Sequence, residues 1–259
     1  MHHRTYFSEN HRYCRFPVLE NPKVAIAFSG GVDSAFLLYA AKRWGADAKA
    51  YYANSAFQPR FEQDDARRLA DELGVELEIL PADVLSCPDI AQNPANRCYF
   101  CKKTLFSAMM DAAQRDGVPV LLDGTNASDD AADRPGMQAL RELQVRSPLR
   151  EAGLTKAEIR RLSKEAGLFT HDKPAYACLA TRIPTGEPIT KEKLAATEAA
   201  EGYLAKLGFR DFRVRCPGGI ARLQLREEDL PLLLRHRQKI LDTLKQHYSG
   251  VTLDLEVRR

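Results

Sequence analysis

Short apolar runs alternate with stretches of helical periodicity through the first half of the chain. The apolar runs are predicted strands, because runs of this length bounded by turn residues suit a buried sheet: KVAIAF (23–28), DAKAYYAN (47–54), VELEIL (75–80) and VPVLLDG (118–124). The intervening stretches are predicted helices: 33–44, 60–74 and 101–117. Strands that alternate with helices over short links predict an α/β fold with a doubly wound parallel sheet.

The pattern changes after about residue 183. Residues 191–208 and 228–247 have helical periodicity, and Pro231 suits the first turn of the second helix. The stretches 211–216 and 220–225 flank Pro-Gly-Gly and predict an antiparallel pair, and 251–257 predicts a closing strand. We therefore expect two domains, 1–183 and 184–259, of which the second is a smaller α+β domain.

The composition is that of an ordinary globular protein, and it limits the classes of partner that the protein can have. The 259 residues are 44% hydrophobic and 28% charged, and the formal net charge of +3 does not favour nucleic acid as a partner. No apolar run is long enough to span a membrane, and the first residues lack the apolar core of a signal peptide. We expect a cytoplasmic protein, in which a C-x-x-C pair indicates metal or redox chemistry rather than a structural disulfide.

The stretch FSGGVDSAFLL (28–38) follows a predicted buried strand and opens a helix. Ligands bind at this edge of a parallel sheet, glycines let backbone N–H groups approach an anion, and the helix N-terminus favours negative charge. The stretch is neither a Walker A loop nor G-x-G-x-x-G. The candidate phosphate-binding residues are Ser29, Gly30, Gly31, Asp33 and Ser34; the structural alternative is a glycine turn capped by Asp33 and Ser34. Ser55, Asp123 and Gly124 also follow predicted strands and are further candidates for nucleotide contact.

Three cysteines stand out among the six. Cys98 and Cys101 form a C-x-x-C pair, a spacing used for iron–sulfur or zinc thiolates and for redox pairs. Cys178 is isolated, and Arg182 follows it closely enough to lower a thiolate pKa, although an isolated cysteine is also a common small apolar residue. Cys14, Cys87 and Cys216 show no pairing pattern and are interpreted as structural or incidental.

The S-G-G-x-D-S loop resembles the PP-loop of ATP pyrophosphatases, whose fold is of the adenine nucleotide alpha hydrolase type. Five ordered motifs together resemble the ATP-dependent sulfur transferases of nickel-pincer nucleotide biosynthesis (LarE-type), over about residues 22–259: SGGVDS, DGTNASDD, RSPLREAGLTKAEIR, ACLATRIPTGEPIT and LGFRDFRVRCPGGIARLQL. The resemblance implies cleavage of ATP to AMP and pyrophosphate, Mg²⁺ held by Asp33, and a pyridinium biscarboxylate mononucleotide whose carboxylate is adenylated and then receives sulfur. It also implies a homo-oligomer, such as a hexamer.

The resemblance implies one of two sulfur sources. In one branch Cys178 is a sacrificial donor that becomes dehydroalanine. In the other, Cys98, Cys101 and Cys178 hold a [4Fe-4S] cluster, and the open iron carries an exchangeable sulfide, so that sulfide or a sulfur donor is an expected partner. The C-x-x-C pair favours the cluster, with zinc, a redox pair or no metal as alternatives.

A basic group in the second domain is the candidate site for the substrate phosphate. Arg213 and Arg215 alternate along a predicted strand and share one face, and Arg182 is a third candidate. The alternative is a solvated strand face. The resemblance implies an acidic catalytic role for Glu201, whereas Gln224 stands where the family usually has Glu and Cys216-Pro217 replaces its usual step.

Three other functions compete with sulfur transfer to a mononucleotide. A tRNA thiolase also joins a PP-loop to C-x-x-C and a third cysteine, but it needs a basic RNA surface. A PP-loop amide ligase has no use for three cysteines. A non-catalytic nucleotide-binding or iron–sulfur carrier module does not need an intact S-G-G-x-D-S loop.

Overall fold

The computed structural model describes residues 22–129 and 135–258. The strands of this part of the chain are β1 (Lys23–Ala27), β2 (Asp47–Asn54), β3 (Leu77–Pro81), β4 (Leu121–Leu122), β5 (Arg213–Arg215), β6 (Ile220–Gln224) and β7 (Gly250–Leu253). Its α-helices are α1 (Val32–Arg43), α2 (Arg60–Leu73), α3 (Pro88–Ala91), α4 (Arg97–Arg115), α5 (Pro135–Glu142), α6 (Pro148–Glu151), α7 (Lys156–Glu165), α8 (Lys191–Lys206) and α9 (Leu230–Leu244). Cys14 lies outside the described residues.

The described residues form two compact units. The first contains 22–55, 60–82, 96–129 and 135–176, and the second contains 56–59, 83–95 and 177–258. The domain boundary at 183/184 stays a prediction.

A four-stranded parallel sheet organises the first unit, in the order β3-β2-β1-β4. Val24 and Ile26 of the central strand β1, and Phe28 directly after it, are each at most 1% exposed. A strand that is buried on both faces has a continuous run of apolar residues, which is why KVAIAF predicts a strand of a parallel sheet. The predicted parallel α/β fold is therefore confirmed.

Two elements of the first unit, α4 and β4, differ most from the sequence prediction in their boundaries. Helix α4 begins at Arg97 rather than at Cys101, so Cys98 and Cys101 lie on the same helix. Strand β4 contains only Leu121–Leu122, although Arg146 extends the sheet beside it as a parallel bridge to Leu122. Helix α7 was not predicted, yet Thr155 and Glu158 form a complete capping box at its start, a signal that the sequence carries.

A three-stranded sheet in the order β5-β6-β7 organises the second unit. The predicted antiparallel pair is present, with Val214 opposite Leu223, and β7 runs parallel to β6. Leu204 and Leu244, from α8 and α9, are fully buried in the apolar core of this unit. This α+β arrangement agrees with the predicted class.

No helix of the described residues is both long and apolar enough to cross a membrane.

Candidate functional site

The loop after β1 is held in shape by serine hydroxyls. The Ser29 N–H donates to Ser34 Oγ at 3.2 Å, and Ser34 Oγ donates to the Gly31 carbonyl at 3.2 Å. Gly31 is the N-cap residue of α1 and has no side chain to accept hydrogen bonds, so it leaves the first N–H groups of the helix without a side-chain cap. Backbone N–H groups at the start of a helix are suited to bind phosphate.

Two glycines of this site are required by close packing. Gly30 has φ +70°, and a Cβ there would lie 3.1 Å from the Glu62 carbonyl oxygen. A Cβ on Gly124 would lie 2.8 Å from the Ser34 nitrogen, closer than real Cβ atoms come. Gly124 therefore lets the segment after β4 touch the start of α1.

The other predicted nucleotide contacts lie at the same edge of the sheet. Asp123 follows β4, is 5% exposed, and accepts hydroxyl hydrogen bonds from Thr125 and Ser147, each at 2.5 Å. Ser55 follows β2 and is also buried. Their contact with nucleotide stays a prediction, but the fold brings both to the strand ends beside the loop.

Asp33 forms an ion pair with Lys156, whose ammonium donates to Oδ2. Burial raises the pKa of the Asp33 carboxyl above its ordinary value, and the Lys156 ammonium opposes that rise. The other oxygen, Oδ1, is buried and accepts no hydrogen bond from the described residues. An oxygen with no partner beside a phosphate loop fits a Mg²⁺ ligand, since that ion prefers carboxylate oxygens.

Two lysines at this loop are not among the residues predicted from the sequence. Lys156 is the first residue of α7, directly after the Thr155 cap, and lies far from Asp33 in sequence. The Lys173 ammonium donates to the Gly30 carbonyl at 3.2 Å and pairs with Asp65 at 2.6 Å. The capping box could have located α7, but only the fold brings Lys156 to the loop.

Cys98 and Cys101 lie in the first turns of α4. Residues three apart share a helix face, and Cys98 is exposed while Cys101 is half-buried. The Arg97 guanidinium donates to Cys98 Sγ at 3.4 Å. The two thiols fit a pair of metal or cluster ligands, but no three His, Cys, Asp or Glu side chains of residues 22–129 and 135–258 are grouped to hold a metal ion. The third cluster ligand is therefore not placed.

Cys178, in the second unit, directly precedes the short 3-10 helix Leu179–Arg182. Its carbonyl accepts from the Thr181 N–H at 3.0 Å, the Thr181 hydroxyl at 2.8 Å and the Arg182 guanidinium at 3.2 Å. The thiol side chain is half-buried. Three donors on one carbonyl hold the backbone of the predicted sulfur donor in place.

Arg182 and Glu201 form a buried, two-pronged ion pair. Arg182 Nε and Nη2 donate to the two carboxylate oxygens at 2.9 and 3.0 Å, and the side chains are 0% and 6% exposed. Glu201 Oε1 also accepts the Val214 N–H at 2.9 Å, and Arg182 Nη1 donates to the Ala177 carbonyl at 2.5 Å. These contacts join α8 and β5 to the Cys178 segment. The predicted roles of Arg182 in phosphate binding and of Glu201 in catalysis stay predictions.

Arg213 and Arg215 lie on β5 with lowered pKa values. Burial lowers the pKa of each guanidinium, and the like charges of Arg182 and Arg258 lower it further. Arg215 donates to Gln224 Oε1 at 2.9 Å and to the Thr181 carbonyl. Such a concentration of partly buried cations suits an anion.

Cys216, by contrast, is 2% exposed and burial raises its thiol pKa, in agreement with a structural role.

Comparison with known proteins gives four relevant similarities, one to a family model and three to individual relatives. Residues 18–175 match the protein family described as asparagine synthase. The chain is 37% identical over 236 residues to the pyridinium-3,5-bisthiocarboxylic acid mononucleotide synthase of Lactiplantibacillus plantarum, covering 90% of this chain and 86% of that protein. It is also 37% identical over 241 residues to an uncharacterized protein of Synechocystis sp., covering 92% of this chain and 90% of the relative. A tRNA-specific 2-thiouridylase of Pseudothermotoga lettingae is 27% identical over 201 residues, covering 64% of this chain and 57% of that enzyme.

Proposed function

Because the chain belongs to the asparagine synthase family, and to the same family as the pyridinium-3,5-bisthiocarboxylic acid mononucleotide synthase of L. plantarum, we propose that it is an ATP-dependent sulfurtransferase. Its substrate in this proposal is a pyridinium-3,5-biscarboxylate mononucleotide, and its products are a thiocarboxylate, AMP and pyrophosphate. The observation that carries the proposal is the loop Ser29–Ser34, with Asp33 Oδ1 left without a hydrogen-bond partner among the described residues.

The first step is adenylation. A carboxylate oxygen of the substrate attacks the α-phosphorus of ATP, the bond from that phosphorus to the oxygen bridging to the β-phosphate breaks, and pyrophosphate leaves. The serine-braced loop and the start of α1 bind the pyrophosphate portion, and Gly124 keeps that space open. Lys156 and Lys173 add positive charge beside it. A Mg²⁺ ion held by Asp33 would neutralise phosphate charge.

The second step is sulfur transfer. A sulfur nucleophile attacks the acyl carbon of the adenylate, the bond between that carbon and the AMP oxygen breaks, and AMP leaves with the electron pair. In the cluster version of the proposal Cys98, Cys101 and Cys178 are ligands, and the sulfur is an external sulfide. In the sacrificial version Cys178 Sγ attacks; loss of its Cα proton to a base then breaks the Cβ–S bond and leaves dehydroalanine.

The second unit binds the mononucleotide phosphate in this proposal. Arg213 and Arg215 supply the guanidinium groups, and their lowered pKa values reflect burial and like-charge crowding that a phosphate dianion would relieve.

The test measures pyrophosphate and AMP after mixing the protein with ATP, Mg²⁺ and the pyridinium biscarboxylate mononucleotide. We expect release that depends on the mononucleotide and falls by orders of magnitude in Asp33→Ala. The exposed Asp83 provides the matched control, and Asp83→Ala should behave as wild type. ADP and inorganic phosphate as products would refute the pyrophosphatase mechanism. Release that requires tRNA instead of the mononucleotide would assign the protein to the thiolases, and no release with either would favour a non-catalytic module.

A further inference from the structure

Arg258 is tied to the second unit by both its backbone and its side chain. Its N–H donates to the Leu225 carbonyl at 2.9 Å. Its guanidinium contacts Asp211 twice, with Nε donating to the backbone carbonyl and Nη2 donating to Oδ1, each at 3.0 Å. A guanidinium that contacts one residue at two points fixes both the position and the orientation of that residue.

Asp211 needs such support because of its backbone conformation. Its φ is +47°, in the left-handed region that a non-glycine residue adopts only when its surroundings hold it there. It directly precedes Phe212, whose carbonyl accepts from Arg213 Nη1 at 2.6 Å, and its own carboxylate lies 3.7 Å from the same nitrogen. The contacts therefore run in a chain from Arg258 through Asp211 to Arg213.

The formal charges of the side chains around these contacts do not cancel. The Arg258 guanidinium is near enough to lower the pKa of both Arg213 and Arg215, and Arg182 acts on the same two residues. Among the residues that the structure describes, four guanidinium groups thus lie around two carboxylates, those of Glu201 and Asp211, which leaves an excess of two positive charges in that set. The neighbouring Arg222 and Asp254 offset one another. An excess of two matches a phosphate monoester, which carries about −1.5 to −2 near pH 7.

We propose that Arg258 is a positioning residue of this anion site: it holds Asp211 in its left-handed conformation and so orients Arg213 toward a phosphate monoester. The identity of that ester as the substrate mononucleotide rests on the proposed function, whereas the anion site itself does not. In this assignment the segment after β7 is part of substrate binding, and Arg258 acts through its geometry rather than through its charge alone.

The test measures binding of inorganic phosphate to the full chain by calorimetry, without ATP. Arg258→Ala should weaken phosphate binding about tenfold, in keeping with loss of an ordered charge-assisted contact. Arg258→Lys keeps the charge but cannot reproduce the two-point contact, so it should weaken binding to a similar extent. Arg226 is the matched control, since it is also a partly buried arginine of the second unit with two carboxylate partners. Arg226→Ala should bind phosphate as wild type does.

The variants also separate geometry from charge and from folding. Wild-type binding in Arg258→Lys would overturn the positioning role. An equal loss in Arg226→Ala, or a loss in Arg258→Lys that is matched by loss of the folded circular dichroism spectrum, would also overturn it. Steady-state kinetics provide a second readout: Arg258→Lys should raise KM for the mononucleotide and leave KM for ATP and kcat nearly unchanged.

Failure of the Arg258 proposal can be distinguished from failure of the proposed function, because phosphate binding and pyrophosphate release are measured separately. If wild type binds no phosphate, the inference fails even if sulfur transfer is observed. If phosphate binding depends on Arg258 but no pyrophosphate is released, the inference stands and the proposed reaction fails.

Discussion

Glu201→Gln is expected to destabilise the second unit strongly. In the native protein the carboxylate accepts three N–H groups, two from Arg182 and one from Val214. Glutamine has only one acceptor oxygen and presents two donors of its own, so at least one buried N–H loses its partner. The Arg182 charge also loses its counter-ion at 0% side-chain exposure.

The magnitude follows from that burial. Removing one partner of a buried ion pair typically costs about 3–5 kcal/mol, since the remaining charge is left uncompensated. About 3 kcal/mol corresponds to a roughly hundredfold shift in an equilibrium constant. The pair of Arg226 and the exposed Glu228 provides the comparison: Glu228→Gln should cost about 0–1 kcal/mol, because solvent screens that pair.

Hydrogen exchange followed by mass spectrometry is the suitable assay, because it reports each unit separately. The sole tryptophan, Trp44, belongs to the first unit, so its fluorescence would not report unfolding of the second. We expect faster amide exchange in α8 and β5 of Glu201→Gln and unchanged exchange in β1 and α1. Adding Arg182→Met should restore part of the protection, since the uncompensated charge is then removed.

Two results would refute this reasoning. One is a Glu201→Gln variant whose α8 and β5 amides are protected within about 1 kcal/mol of wild type, against the 3–5 kcal/mol expected. The other is a double variant less stable than Glu201→Gln, which would mean that Arg182 contributes mainly through its contacts with the Ala177 and Cys178 carbonyls.

Three further predictions concern the first unit. Gly124→Ala should abolish most ATP-dependent pyrophosphate release, because its Cβ would lie 2.8 Å from the Ser34 backbone nitrogen. The control Gly202→Ala, whose Cβ meets no atom within 4 Å, should retain that activity. Equal activity in the two variants would contradict the packing argument. Lys156→Met should raise the pKa of Asp33 further, because the ammonium opposes the effect of burial; the acid limb of the rate profile should therefore move to higher pH, and an unmoved limb would show that Asp33 ionisation does not control the rate. Cys98→Ala should lose the iron bound by anaerobically reconstituted protein, whereas Cys87→Ala should keep it. Unchanged iron content in Cys98→Ala would favour the sacrificial mechanism. So would a loss of about 34 Da at Cys178 during turnover, which is the mass of H₂S released when the thiol is converted to dehydroalanine.

Local patterns in the sequence were sufficient to predict the parallel sheet and the phosphate loop. Strands such as KVAIAF are apolar throughout because both of their faces are buried, and S-G-G-x-D-S marks the strand end by its glycines. The motifs also led to the family, which the relatives confirm. The start of α4 was predicted four residues too late: Asn96, its N-cap, is a residue type favoured at that position, but its side chain makes no capping hydrogen bond.

The electrostatic partners of the site emerged only from tertiary structure. Asp33 and Lys156 lie 123 residues apart in sequence, and Asp211 and Arg258 lie 47 apart, so no local period relates them. The same is true of Gly124. This position must be glycine because the start of α1, which lies much earlier in the sequence, packs against it too closely for a Cβ atom. Periodicity reports which face of an element is buried, whereas ion pairs and close backbone contacts depend on which distant segments that burial brings together.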